Sequence, residues 1–167
     1  LILATFAASQ NLTNGANCAS LTLAILDTLI DAVQGGTPDA LLMSKRSRRS
    51  LNALARATGS MLINSMDQFG RFVTFYNGIP ILLSDWVSDA KTVGTSTDCS
   101  TIYALTLGEQ AGGVWSFYNS GGAGTPIMIE DVGALETKDA WRTRVKAYVQ
   151  LAIGSAVKCA RSTGIRP

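Results

Sequence analysis

The sequence contains no histidine. This absence excludes the Ser-His-Asp and Cys-His catalytic arrangements, histidine-bearing zinc sites and histidine general bases. No lysine follows a glycine, so a Walker A phosphate-binding loop is excluded as well. The stretch Gly122-Ala123-Gly124 lacks the third glycine and the helix that a dinucleotide fingerprint requires. Most hydrolases and the common nucleotide-binding classes are therefore ruled out for this chain.

Charged residues are also scarce, at 16% against 47% apolar residues in a chain of 167. A soluble domain usually carries about a quarter of charged residues, so we expect part of this surface to face other protein. The net charge of +2 is too small to indicate nucleic-acid binding by the chain as a whole. The length suits one compact domain, or one domain with part of another.

The cysteines, Cys18, Cys99 and Cys159, are odd in number and far apart. This spacing predicts neither a disulfide framework nor a CxxC zinc knuckle, and we expect folding in a reducing, cytosolic environment. The apolar start, residues 1–8, has no basic flank and is too short to span a bilayer. This segment is typical of a strand, and we predict neither a signal peptide nor a membrane anchor. Because the first residue is not Met, we expect a fragment or a processed product.

Three small groups of polar residues are candidates for chemistry. Ser88 and Lys91 have the S-x-x-K spacing of serine-lysine hydrolases, but the S-D-N and K-T-G elements are missing. The other candidates are Asp27 with Asp31, one helical turn apart, and the adjacent Glu130 and Asp131. Such carboxylates are far more often solvated than catalytic. We therefore predict no catalytic, cofactor-binding or metal-binding residues, no cofactor, and a protein that is not an enzyme.

Two helices are predicted from apolar periodicity. Over 21–33 the apolar residues fall on one face, with Ser20 or Asn17 as the N-cap and Gly35-Gly36 as the terminator. Ser44 can cap a second helix that runs to about residue 57 and stops at Gly59.

The second helix has two different faces at about 100° per residue. One face is predicted to carry Leu51, Leu54 and Ala57, and the other to carry Lys45, Arg48, Arg49, Asn52 and Arg56. The simplest interpretation of the basic face is a solvated surface. Contact with acidic groups of a neighbouring subunit, or non-specific contact with DNA phosphates, are the functional alternatives.

The middle of the chain is rich in predicted strands. Asn77-Gly78 between 71–76 and 79–83 predicts a hairpin with a type I′ turn, because both residues tolerate positive φ. Pro80 cannot donate to a ladder, so the second strand should lie at an edge or start at that point. A polar loop is predicted over 88–100. Further strands are predicted at 40–43, 101–107, 114–118 and 127–132.

The tail fits either a strand or a helix over 141–150. Trp141, Thr143, Val145, Ala147 and Val149 alternate with polar or aromatic residues over ten consecutive positions, which favours a half-exposed strand. We expect this strand to end at Gly154 and a second strand to return over 156–160. Together the elements predict an α+β fold.

Several stretches in order resemble the major capsid proteins of tailed bacteriophages with the Hong Kong 97-type fold. They are Asp39-Ala40-Leu41-Leu42-Met43-Ser44, Lys45-Arg46-Ser47-Arg48-Arg49, Phe75-Tyr76-Asn77-Gly78-Ile79-Pro80-Ile81 with Ser84-Asp85, and then Thr101-Ile102-Tyr103-Ala104-Leu105-Thr106-Leu107-Gly108, Glu136-Thr137-Lys138-Asp139-Ala140 and Arg142-Thr143-Arg144-Val145. The resemblance covers nearly the whole chain and implies a C-terminal part of the subunit, without the N-terminal arm, extended loop and spine helix.

The resemblance also implies a division of the chain and a function. Residues 1–19 would be a peripheral-domain segment or connector, 20–135 the axial domain, and 136–167 the C-terminal peripheral-domain strands. The chain would be a structural subunit of an icosahedral phage capsid that self-assembles into hexamers and pentamers and encloses double-stranded DNA without sequence-specific binding. Its partners would be copies of itself, with scaffold or portal proteins as further candidates and no membrane. Its location would be the virion capsid, assembled in the host cytoplasm.

Two alternatives stay open. Encapsulin nanocompartment shells resemble the same fold, so the shell could be cellular. An enzyme with no recognisable site is the second alternative. Large aromatic residues in or near loops often anchor interfaces, and Trp86 and Trp115 are such candidates, whereas Phe117, Tyr118 and Trp141 also fit an ordinary core.

Overall fold

The computed structural model describes residues 6–59, 62–66, 70, 72–118 and 127–167. Within these ranges the protein is α+β, with helices α1 (Leu23–Asp31) and α2 (Lys45–Thr58) and a short 3-10 turn at Ala8–Gln10. The strands, in chain order, are β1 (Asn11–Thr13), β2 (Ala19–Ser20), β3 (Ala40–Met43), β4 (Leu62–Met66), β5 (Phe72–Tyr76), β6 (Ile79–Leu83), β7 (Lys91–Val93), β8 (Ser96–Leu105), β9 (Val114–Tyr118), β10 (Ile127–Ala134), β11 (Trp141–Ala147), β12 (Val149–Ile153) and β13 (Ala160–Arg166).

The chain forms two compact units. The larger unit, Leu1–Val114 with Ile153–Pro167, contains a mixed sheet in the order β1-β13-β8-β3-β6-β5-β4, with β2 also on β13 and β7 on β8. The smaller unit, Trp115–Ala152, contains the antiparallel pair β10-β11, and β9 pairs with β12 in a second two-stranded sheet. The predicted division into 1–19, 20–135 and 136–167 as capsid domains stays a prediction.

Strand β3 lies in the interior of the large sheet. It pairs in parallel with β6 and antiparallel with β8, and Ala40, Leu41 and Met43 are almost fully buried. A strand covered on both faces needs a continuous apolar run instead of an alternating one, which is what this segment has. The prediction of a buried strand at 40–43 is therefore confirmed, and the core cluster forms around it with Leu26, Leu29, Leu51 and Ile102.

Helix α2 is confirmed with both of its predicted caps. Ser44 Oγ accepts a 3.1 Å hydrogen bond from Ser47 N, and Gly59 ends the helix with φ +78°, in the left-handed region that favours glycine. Leu51 is fully buried and Leu54 is half-buried, as predicted. Ala57 is exposed because the last turn of the helix lies beyond the core.

Helix α1 starts two residues later than predicted. Its N-cap is Thr22, whose side chain accepts a hydrogen bond from Ile25 N at 3.3 Å. The predicted caps, Ser20 and Asn17, are therefore wrong. Ser20 instead ends β2, which pairs with β13. The helix ends at Asp31, before the predicted Gly35-Gly36 terminator.

The hairpin β5-β6 is confirmed. Asn77 and Gly78 have φ of +49° and +77°, as a type I′ turn requires, and Tyr76 pairs with Ile79. The prediction of an edge position for Pro80 is wrong, because β6 lies between β5 and β3. Pro80 is accommodated because it lies next to the start of β6, and the parallel ladder with β3 begins one residue later, at Ile81.

The predicted loop at 88–100 is wrong for most of its length. Residues 91–93 form β7, and β8 already begins at Ser96, so the two strands form a hairpin around Gly94-Thr95. The strands were missed because many of their side chains are polar and exposed or half-buried, so this segment lacks the apolar pattern that predicts a strand. The predicted strand at 101–107 is the second half of β8 and ends at Leu105.

The tail is extended, as predicted, and not helical. Strands β11 and β12 occupy Trp141–Ala147 and Val149–Ile153, and Gly154 follows the second. The predicted return strand at 156–160 is wrong: residues 155–158 form a turn, and β13 begins only at Ala160. β13 pairs with β8 and β1 in the large sheet, while β11 pairs with β10, so these segments are not an antiparallel pair.

The beginning of the chain and the cysteines also differ from expectation. Residues 1–5 of the predicted strand at 1–8 lie outside the described residues, and residues 8–10 form the 3-10 turn. Cys18 and Cys99 form a disulfide with Cα atoms 6.2 Å apart, which the wide sequence spacing gave no reason to expect. Cys159 is free and fully buried, and burial raises the pKa of its thiol.

Candidate functional site

The candidate serine and lysine have separate structural partners. Ser88 Oγ accepts a hydrogen bond from Ala90 N at 3.2 Å within its own turn. Lys91 Nζ donates to Thr101 Oγ1 at 2.8 Å and lies 6.0 Å from the ring centroid of Tyr103. Because Ser88 and Lys91 bind different neighbouring residues, the structure does not bring them together as a serine-lysine pair.

The candidate carboxylates also bind neighbours in their own units. Asp27 Oδ1 accepts from Tyr76 Oη at 2.7 Å, and Asp131 Oδ1 accepts from Gly133 N at 3.1 Å. Glu130 pairs with Lys146, and this hydrogen bond and charge hold the pKa of the Glu130 carboxyl below its usual value. Asp27, Glu130 and Asp131 therefore stabilise local structure, whereas Asp31 is exposed at the end of α1.

Two grooves among the described residues carry no recognisable catalytic set. One, of about 440 Å³, lies in the smaller unit and is lined by Phe117, Tyr118, Ala147, Tyr148, Val149 and Gln150. The other, of about 260 Å³, lies beside β1 and α1 and is lined by Leu12, Thr13, Asn14, Ala24, Ile25 and Thr28. Across the described ranges, no three Cys, Asp or Glu side chains converge as a metal site would require. Neither α1 nor α2 is long and apolar enough to cross a membrane, and the described residues contain no other candidate span.

The basic face of α2 is largely solvated or paired. Lys45 Nζ lies 2.8 Å from Asp85 Oδ2, with both side chains more than half exposed, so the pair contributes at most about 1 kcal/mol. Arg49 and Arg56 are exposed, and Arg48 is half-buried. Arg46 and Arg166 both lie within 4.0 Å of Asp98, which ties the start of α2 and the end of β13 to β8.

One face of the hairpin β10-β11 carries exposed apolar residues beside the polar pair Asp131–Thr143. Ile129 pairs directly with Val145, and the alternation along β11 places Trp141 on the same side. The exposed fractions are 73% for Ile129, 67% for Val145 and 74% for Trp141. We call these three residues the hairpin apolar face.

The opposite face of the hairpin is charged and carries Glu130 with the basic residues Arg142, Arg144 and Lys146. Glu130 pairs across the strands with Arg144, at 4.0 Å, and contacts Lys146 as well. Both pairs are exposed to solvent at Glu130, so each contributes little to stability.

The smaller unit has no fully buried apolar side chain among its described residues, 115–118 and 127–152. A two-stranded hairpin is marginal by itself, and its stability usually comes from an apolar face that packs against something else. The hairpin apolar face is one exposed apolar surface of this unit that packing against a partner would stabilise.

A second apolar surface lies in the larger unit, at the end of the sheet where β4 ends, β5 begins and β6 ends. Met66 and Phe72 pair across the strands with exposures of 64% and 76%. Trp86, just beyond β6, is 97% exposed in a turn held by a 3.2 Å hydrogen bond from its N–H to Ser84 Oγ. Tryptophan side chains are enriched among the anchor residues of protein interfaces.

The sequence singled out only some members of these surfaces. Trp86 was an interface candidate and is exposed, and Trp141, which also fitted an ordinary core, is exposed as well. Trp115 is half-buried and stacks near Phe117 at 5.3 Å between ring centroids, so it contributes to local packing. Phe72, Ile129 and Val145 were missed, because alternation predicts two faces of a strand but not that the apolar face is left uncovered.

No protein-family profile matches the chain, and no curated protein matches it. Among solved structures, the chain is similar to a subunit of the holo-SrpI encapsulin complex from Synechococcus elongatus PCC 7942, with a TM-score of 0.77. The two sequences are 19% identical, and the match covers 99% of this chain and 56% of the encapsulin chain. The protein therefore spans just over half the length of that relative.

The match establishes the fold and confirms the sequence prediction of it. The chain is an α+β protein with the Hong Kong 97-type capsid fold, which encapsulin shells and phage capsids share. At this level of identity the likeness shows the fold alone.

Proposed function

We propose that the chain is part of a subunit of a self-assembling protein shell of the encapsulin kind. The observation that carries this proposal is the likeness to an encapsulin over 99% of the chain. The uncovered apolar surfaces support it independently. A shell subunit buries surface against several neighbours, and therefore needs apolar patches that a monomer would hide.

The size of the hairpin apolar face is consistent with this role. At 74% exposure, Trp141 alone offers roughly 150–200 Å² of surface. A standard interface buries about 800 Å² per partner, so this residue with Ile129 and Val145 supplies a large part of an apolar centre. We propose that the occupant of this face is a second copy of the chain, because a self-assembling shell covers exposed apolar residues of one copy with those of its neighbours.

A tailed-phage major capsid protein, in a virion that encloses DNA, is the second candidate. It rests on the succession of capsid-like stretches from 39 to 145 in the sequence. The structural neighbour supports the encapsulin alternative better, since that neighbour is an encapsulin complex. With a cellular shell, the location would be the cytoplasm, and scaffold or portal proteins would not be partners.

We also propose that the chain has no catalytic activity of its own. Ser88, Lys91, Asp27, Glu130 and Asp131 have structural partners, and neither of the two described grooves is lined by an Asp, Glu, Lys or Arg side chain. An assembled shell would act by enclosing and separating its contents.

The test is to purify the protein in its assembled form from the cells that produce it. Negative-stain electron microscopy and sedimentation should show closed particles of uniform size. Nuclease treatment and protein identification of the contents then separate the candidates: an enclosed protein cargo supports the encapsulin kind, and nuclease-protected genomic DNA supports the phage capsid. A protein that stays monomeric at high concentration under all assembly conditions would refute both.

A further inference from the structure

We propose that Cys18 and Cys99 form a reversible thiol-disulfide site that fastens an N-terminal strap, residues 14–20, onto the turn between β7 and β8. This site is independent of the proposed function, because it rests on contacts within one copy of the larger unit.

The two cysteines differ in accessibility and in backbone conformation. Cys99 is fully buried near the start of β8, whereas Cys18 is half-buried on the strap. Cys18 has φ +63°, in the left-handed region that residues other than glycine rarely adopt. A residue in such a conformation has to be held there by its surroundings, and here the bond to Cys99 supplies that restraint.

The remaining contacts of the strap are hydrogen bonds of Asn14 and Asn17 and the two-residue ladder of β2 with β13. Asn17 Oδ1 accepts from Thr95 N at 3.0 Å and from Thr95 Oγ1 at 3.1 Å, and Ser96 Oγ donates to Asn17 O at 2.8 Å. At the other end of the strap, Asn14 Nδ2 donates to Thr163 O at 2.8 Å.

Apolar burial contributes little to holding the strap. Its residues are small or polar, and β2 adds only a two-residue ladder to β13. Segments with few buried apolar contacts open locally at low free energy. The disulfide is the covalent link between the strap and β8, and its reduction should loosen residues 14–20 on β13 and on the turn at Gly94-Thr95.

The chemistry is ordinary thiol-disulfide exchange with a cellular thiol. A thiolate attacks the sulfur of Cys18, because Cys99 is fully buried. The Cys18–Cys99 bond breaks, a mixed disulfide forms on Cys18, and Cys99 leaves as a thiolate that takes a proton from water. A second thiolate then attacks the mixed disulfide, releasing the Cys18 thiolate, which is protonated, and the oxidised disulfide of the reductant. Closing the strap reverses these steps with a disulfide as the oxidant.

The test is hydrogen-deuterium exchange, read by mass spectrometry, on the native protein before and after treatment with dithiothreitol. Peptides covering 14–20 and 94–96 should exchange roughly tenfold faster or more after reduction, while peptides from α2 should not change. Cys18→Ser should show the fast exchange without any reductant. Cys159→Ser, which alters the buried free cysteine, should behave as the wild type does in both conditions.

Two results would overturn the proposal. One is the presence of three free thiols in protein equilibrated with oxidised glutathione, which would mean that the disulfide does not form. The other is a strap whose exchange is the same in the oxidised, reduced and Cys18→Ser proteins. If Cys18→Ser folds poorly, reduction of the wild type still gives the answer. Because the readout is local exchange in a single subunit, failure of this inference is distinguishable from failure to form shells.

Discussion

Tyr76 Oη donates a 2.7 Å hydrogen bond to Asp27 Oδ1 and so joins the turn of the hairpin β5-β6 to helix α1. Tyr76 is fully buried, and its neighbour Asn77 donates to the same carboxylate oxygen at 3.4 Å. Burial, and after it the bond to Asp27, raise the pKa of the Tyr76 hydroxyl well above its usual range. These hydrogen bonds hold the turn of the hairpin β5-β6 against helix α1, which lies 50 residues earlier in the chain.

Replacement of Tyr76 by Phe should destabilise the protein by about 1–3 kcal/mol at neutral pH, because it removes a buried hydrogen bond to a carboxylate. The contribution should depend on pH. The pKa of Tyr76 is higher in the folded state than the value of about 10 in the unfolded state, so the unfolded state loses its proton first. The stabilisation is therefore fully present below about pH 10 and is lost as the pH rises above it.

Urea denaturation of wild type and Tyr76→Phe at about pH 8 and about pH 10.5 measures this effect. The difference in unfolding free energy between the two proteins should shrink at the higher pH. A difference that stays constant across this range would contradict the assignment.

Replacement of Ser44 by Ala should destabilise the protein by about 1 kcal/mol, because Ser47 N then loses its hydrogen-bond acceptor at the start of α2. Ser50→Ala, in the interior of the same helix, is the matched control and should change stability by less than about 0.5 kcal/mol. Denaturation midpoints of the three proteins measure both effects. Equal midpoints for Ser44→Ala and wild type would show that the cap is not used.

Replacement of Trp141 by Ser should weaken assembly, because it removes the largest side chain of the hairpin apolar face. For an interface anchor, we expect a loss of about 2 kcal/mol or more of association free energy, which raises the concentration needed for assembly roughly 30-fold. Sedimentation velocity over a range of protein concentrations measures the shift.

Arg142→Gln is the control for this variant, since Arg142 is the neighbouring residue on the opposite, charged face of β11. It should assemble as the wild type does. Equal effects of both substitutions would indicate a general loss of hairpin structure, and no effect of Trp141→Ser would remove this face from the interface.

We expect the wild type to have no strong affinity for DNA. Double replacement of Arg48 and Arg49 by Gln should therefore leave DNA binding weak. DNA held through four or five phosphates would show an affinity that falls with salt by a log–log slope of about −0.9 per contact. Fluorescence anisotropy at several salt concentrations, with assembly measured in parallel, tests this expectation. Unchanged assembly together with loss of a strong, salt-dependent affinity would instead favour a nucleic-acid-binding role for α2.

The sequence by itself determined the elements whose signals lie within a few residues of one another. Ser44 and Gly59 mark the ends of α2, and Asn77-Gly78 specifies the turn of the hairpin β5-β6. The alternation over 141–150 correctly favoured strands over a helix. These signals act through backbone sterics and side-chain periodicity, which are fully present in a short segment.

Only the tertiary structure decided which segments meet. Strand β13 lies between β8 and the N-terminal strand β1, and Arg161 Nε reaches Asn11 Oδ1 at 2.6 Å across 150 residues of sequence. Cys18 meets Cys99 across 81 residues, and β6 takes an interior position despite Pro80. No local pattern encodes such pairings, because they result from the closure of long loops and the joint burial of the whole core. The same holds for the candidate surfaces: the sequence supplies apolar residues such as Trp86 and Trp141, but only the folded chain shows which of them are left uncovered.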